Sequence, residues 1–82
     1  MIERRNAPRH RTLKTGLIVF NDGRSTLTCV VRNLSDTGAL LRVENSAGVP
    51  QGFALRLDQK VIGCTAVRRT LTEIGVRFEA LD

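Results

Sequence analysis

Tryptophan and tyrosine are absent from this 82-residue chain, and phenylalanine occurs three times. Proteins that hold single-stranded nucleic acid stack its bases on exposed aromatic rings. Phe20, Phe53 and Phe78 all fall where the pattern reads as core, so nucleic acid is an improbable partner for this sequence. Histidine is nearly absent too: His10 is the single copy, and the carboxylates are scattered one at a time. No nucleophile, acid–base pair or metal cluster can be assembled from that set, and an enzyme is not expected. Cys29 and Cys64 stand far apart inside strand-like segments rather than as a CxxC pair. The expectation is two small, buried, reduced side chains, no metal and no resident cofactor. No apolar run approaches the ~20 residues of a membrane span, and the arginine-rich N-terminus has no apolar signal core behind it. A soluble cytoplasmic protein follows as the expectation. Helical periodicity is missing from every window of eleven or more residues, and so are repeats and low-complexity tracts.

What is present is a small, strand-forming domain with its charge in one place. A hydrophobic fraction of 41%, mostly Val, Leu and Ile, suits one modest core, and 82 residues leave no room for a second domain. The formal net charge is +5. Residues 1–14 carry five basic residues against Glu3, a balance of +4, so that residues 15–82, with eight basic and seven acidic, add only +1. A nucleic-acid-binding coat would spread its cations over the folded body. Here they sit on an arm, "RRNAPRHR" at Arg4–Arg11, which has no periodicity and contains Pro8. The basic residues are eleven Arg to two Lys. Arginine's planar fork suits paired acceptors and flat rings, which points to a discrete anionic ligand carrying oxygens and a ring.

Along the chain, residues 1–11 read as a mobile arm and 12–82 as a barrel. "TLKTGLIVF" (12–20) is expected to form a strand, "NDG" (21–23) a hairpin turn that tolerates positive φ, and "RSTLTCVVRN" (24–33) the partner strand. Leu27, Cys29 and Val31 share one face of that partner, and Thr28, Val30 and Arg32 the other. "NLSDTG" (33–38) breaks the pattern, "ALLRVE" (39–44) resumes it, and a second polar loop spans 45–52. "FALRLD" (53–58), a "QK" turn, "VIGCTAVRR" (61–69), the link "TLT" (70–72) and "EIGVRFEAL" (73–81) complete six strands. Short antiparallel strands in so small a chain satisfy their backbones by closing into a barrel. The fold class expected is all-β, a six-stranded antiparallel split barrel with little or no helix, the one candidate being a final turn at 79–82.

Two segments ask for more than a structural reading. Arg5–Arg9, "RNAPR", has the form RxxxR, and Asn33–Gly38, "NLSDTG", has the form [D/N]xSxxG. RxxxR arises by chance in many basic arms, and "NLSDTG" alone reads as a turn. Together, in this order and at this separation, they resemble the motifs of PilZ domains, and "GVRF" (75–78) looks like the closing strand of that family. The resemblance covers essentially the whole chain.

What the resemblance implies is a six-stranded barrel that binds the bacterial second messenger cyclic di-GMP, with the arm folding over the ligand at the barrel rim. The ligand presents two phosphodiesters and two guanines. A guanidinium can fork to a phosphate, fork to guanine O6 and N7, or stack on the purine. Arg5 and Arg9, four apart on an extended arm, reach up to ~14 Å and can grip separate parts of one ligand. Asn33 can accept from the guanine N1 and N2 edge, Ser35 can donate or accept at the ligand's edge, and Gly38 admits a close backbone. By the same resemblance Arg4 accompanies binding of two mutually stacked ligands, and Arg68 stands where many members have a tryptophan packed on the ligand. His10 and Arg11 are read as solvated bystanders. The family reading is a receptor and adaptor that signals to an unidentified effector protein. Its rivals are a small basic barrel for single-stranded nucleic acid and a PilZ barrel that serves only as a protein-interaction module.

Overall fold

A computed structural model describes residues 13–79, in which six strands alternate inward and outward side chains. They are β1 (Lys14–Phe20), β2 (Ser25–Val31), β3 (Gly38–Arg42), β4 (Gly52–Leu57), β5 (Lys60–Arg69) and β6 (Glu73–Phe78). All neighbours are antiparallel, and the order β1-β2-β3-β6-β5-β4 closes on itself through the β1–β4 pair. Closure matters because an open six-stranded sheet would leave two rows of unpaired backbone groups. The all-β barrel expected from the sequence is therefore the fold. The arm at 1–11, its boundary with the barrel, and the stretch 80–82 lie outside the described residues.

The period-two pattern supplies the core. Ile18 of β1, Cys29 and Val31 of β2, Leu41 of β3, Leu55 of β4, Cys64 of β5 and Ile74 of β6 all point inward and are essentially inaccessible to solvent. Phe53 is buried with them, while Phe20 and Phe78 are partly buried and pack against the cluster.

The strand ends differ from the sequence reading by one to three residues, each for a local reason. β2 stops at Val31 rather than Asn33 because Asn33 turns left-handed, φ 36°. The first hairpin loop is four residues, 21–24, not three: Phe20 pairs with Ser25, and Asn21, Asp22 and Gly23 all have positive φ. The β4–β5 turn is Asp58–Gln59 rather than "QK". Leu57 pairs with Lys60, and φ values of 53° and 70° at the two loop residues match the left-handed pair that a two-residue hairpin requires. β3 spans Gly38–Arg42 rather than 39–44, since Val43 leaves the sheet to donate its N–H to Thr72 O at 2.9 Å. β6 ends at Phe78.

The polar loop before β4 has a structural task that the sequence did not announce. Ser46 is 2% exposed, and its hydroxyl donates to Thr70 O at 2.7 Å while its N–H donates to Leu71 O at 2.7 Å. Arg69 answers from β5, donating through Nη1 to Ser46 O at 3.0 Å and Val49 O at 2.7 Å. Together these bonds seat the loop on the β5–β6 connection and cover one end of the core, where Val43 and Val49 are buried.

Both cysteines are free and buried, as the sequence suggested. Burial pushes the Cys29 thiol up to about 11, partly offset by a hydrogen bond from the Gly16 backbone. Cys64 is pushed up to about 12, first by burial and then by the neighbouring Cys29 and Glu79. The unfolded thiols titrate near 9.0. Above that pH the unfolded state loses protons that the folded state keeps, so stability falls with rising pH between about 9 and 11. Each thiol contributes a slope of roughly 1 kcal/mol per pH unit. Urea midpoints measured at pH 8 and pH 10 check this, and the Cys29→Ala, Cys64→Ala double variant should show a flatter pH dependence.

Candidate functional site

The β2–β3 connection carries Asn33, Ser35 and Gly38, and its shape is set by hydrogen bonds within the loop. Arg32 N–H donates to Leu40 O at 2.7 Å, closing the loop from the β2 side. Inside it, Ser35 N–H donates to Gly38 O at 2.9 Å. The N–H groups of Thr37 and Gly38 both donate to Ser35 Oγ at 3.3 Å. Short serine hydroxyls commonly organise a turn in this way. Ser35 therefore braces the loop whatever else its hydroxyl touches.

Gly38 is fixed by sterics. It opens β3 opposite Arg77 of β6, and Thr37 O accepts the Phe78 N–H at 2.8 Å. A Cβ on Gly38 would stand 2.2 Å from Val76 O, well inside contact distance. The close approach that requires glycine here is thus to the neighbouring strand. The sequence reading had assigned it to the ligand.

A β-bulge places Arg68. The β5–β6 register runs Ala66↔Val76, then Arg68↔Gly75 and Arg69↔Ile74, leaving Val67 as the extra residue. Strict alternation from Cys64 and Ala66 would send position 68 into the core. The inserted residue reverses the parity, so Arg68 lies outside with Gly75, and Arg69 falls opposite inward-facing Ile74 at the covered end of the barrel. Gly75 brings no side chain of its own, so the floor beside Arg68 stays open.

These local features meet in one open groove of about 430 Å3 on the outer face of β3, β6 and β5. Asn33, Ser35 and Gly38 line one side, Val67 and Arg68 the other, and Leu40, Gly75 and Arg77 complete the floor and far wall. The groove thus unites four of the seven residues singled out in the sequence, from segments thirty or more positions apart. The other three, Arg4, Arg5 and Arg9, lie outside the described residues. Two arginines and no carboxylate line it, so its walls favour an anion. Val67, at 59% exposure, and Leu40 add apolar surface suited to a ring face.

Sequence reasoning passed over Leu40, Val67, Gly75 and Arg77. Gly75 and Arg77 were readable only as strand, although a glycine and a cation two apart on an outward face is a weak hint of a cradle. Val67 left no signal, since a bulge has no marker in this run. Among the described residues, no three metal-binding side chains come together, and no helix is long and apolar enough to cross a membrane.

No curated protein matches the chain. The family model for the PilZ domain aligns with residues 3–82. With the barrel and the motif loop in place, that match over essentially the whole length makes the chain a member of the PilZ domain family, a family of cyclic di-GMP-binding receptors.

Proposed function

We propose that this chain is a cyclic di-GMP receptor and adaptor that clamps its N-terminal arm over the ligand and signals through the changed surface. The observation that supports this best is the convergence of Asn33, Ser35 and Gly38 with Arg68 in a single cation-lined groove. Asn33 addresses the edge of one guanine, Arg68 offers a donor fork or a stacking plane, and Arg5 and Arg9 close from above on phosphate and base. Arg4 supplies a further cation for a second, stacked ligand molecule. No bond is made or broken, and no cofactor takes part. The proposed setting is the bacterial cytoplasm, with an effector protein reading the clamped form.

Cooperation between arm and groove follows from the energetics. Ordering about seven arm residues costs on the order of 7 to 14 kcal/mol. Each charge-assisted hydrogen bond returns about 1.5 to 3 kcal/mol, so four to six must form together with guanine stacking before binding is micromolar. Calorimetric titration with cyclic di-GMP tests the reading. The expected result is saturable binding at low micromolar concentration or tighter, with two ligands per chain if Arg4 has the role given to it. No heat at tens of micromolar would rule the receptor out. Salt-dependent binding of an oligonucleotide in its place would favour the nucleic-acid rival.

A further inference from the structure

Asn33 is half-buried in the groove wall, and its backbone is held firmly. Its φ of 36° lies in the left-handed region. The Arg32 N–H to Leu40 O bond precedes it at 2.7 Å, and the Ser35 N–H to Gly38 O bond follows at 2.9 Å. The bracing of the turn falls to the Ser35 hydroxyl, which leaves the Asn33 amide out of that task. A carboxamide carries an acceptor on one side and donors on the other, and a half-turn about its last torsion exchanges them.

That exchange changes which base edge the residue can read. The Watson–Crick edge of guanine offers the O6 acceptor beside the N1–H donor. Adenine offers an N6–H donor beside the N1 acceptor. An amide matches either pair with two hydrogen bonds, one donated and one accepted. A carboxylate at the same place only accepts, so it would set a lone pair against adenine N1 and reject it.

The arginines of the site behave differently. Arg68 and Arg77 are donors only. A guanidinium forked onto O6 and N7 demands guanine, because adenine places its own N6 donor there. The site therefore has one kind of reader that insists on guanine and one that does not.

We infer that Asn33 makes one base position of this groove permissive, so that a cyclic dinucleotide with one guanine and one adenine binds nearly as well as cyclic di-GMP. This rests on the receptor reading above and deepens it. Both ligands are titrated calorimetrically into the full chain and into Asn33→Asp. For the unaltered chain, the mixed cyclic GMP–AMP ligand should bind within about tenfold of cyclic di-GMP. In Asn33→Asp it should lose about 5- to 150-fold relative to cyclic di-GMP, the usual discrimination of one bidentate base contact. Aspartate also tolerates the left-handed conformation, and an unchanged melting temperature verifies that the variant folds.

An unaltered chain that binds cyclic di-GMP but prefers it to the mixed ligand by more than about 100-fold overturns the inference while leaving the receptor reading intact. So does an Asn33→Asp variant with the same ligand ratio as the parent. Failure to bind cyclic di-GMP at all removes the receptor reading, and the inference goes with it.

Discussion

Gly38→Ala should destabilise the barrel by about 3 kcal/mol or more, a cost at the upper end of overpacking effects. The added methyl group would meet Val76 O at 2.2 Å, and Val76 C and Arg77 Cα lie at 3.3 and 3.4 Å. Backbone atoms cannot swing aside as a side-chain tip does. Val76 is 5% exposed and locked in the core, while Thr37 O holds the Phe78 N–H just beyond it. Relief therefore means parting β3 from β6 at its first pair, in a strand only five residues long. The Ser35 turn would move as well, since its bonds end on Gly38. Gly75→Ala is the control: its Cβ meets Arg68 Cβ at 3.5 Å, an ordinary contact, and the change should stay within about 0.5 to 1 kcal/mol. Urea midpoints at constant m-value measure both. A Gly38→Ala variant as stable as its parent would refute the steric account.

Arg5→Ala, and separately Arg9→Ala, should each weaken cyclic di-GMP binding at least about 100-fold, more than the loss of one charge-assisted bond would produce. An arginine fork makes two such bonds at once. Removing it also leaves the remaining arm contacts to bear the whole ordering cost, so the arm disengages as a unit. Arg5→Lys separates charge from geometry. Lysine restores the cation without the fork and should recover only part of the affinity. Melting temperatures without ligand should match the parent for all three variants, and the parent's own affinity should fall with added salt. Retention of full affinity by both alanine variants would remove the arm from the mechanism and leave the groove alone to hold the ligand.

Most of the barrel could be read in the sequence because its strands obey strict alternation. Leu27, Cys29 and Val31 announce one buried face, and Phe53, Leu55 and Leu57 another. Turn residues with positive φ mark the hairpins to within a residue or two. Half of the groove was legible as well, since "NLSDTG" has turn chemistry and a motif at once. What escaped notice depends on partners distant along the chain. Arg69 grips carbonyls about twenty positions away, and nothing near it in sequence names them. The reason for Gly38 lies on β6, where the Val76 carbonyl sits. Arg68 was singled out by resemblance, whereas plain alternation would have turned it toward the core.

The bulge at Val67 gives that position an unusual tolerance. Its side chain is largely solvated and packs against little, so many residue types can serve there. Deleting Val67 would turn the bulge into a regular ladder, with Arg68 following Ala66 directly and still opposite Gly75, and Arg69 still opposite Ile74. What the deletion removes is the apolar surface that Val67 lends the groove and the extra twist it gives β5. Shortening the chain by one residue here should therefore spare the barrel while reshaping its ligand face.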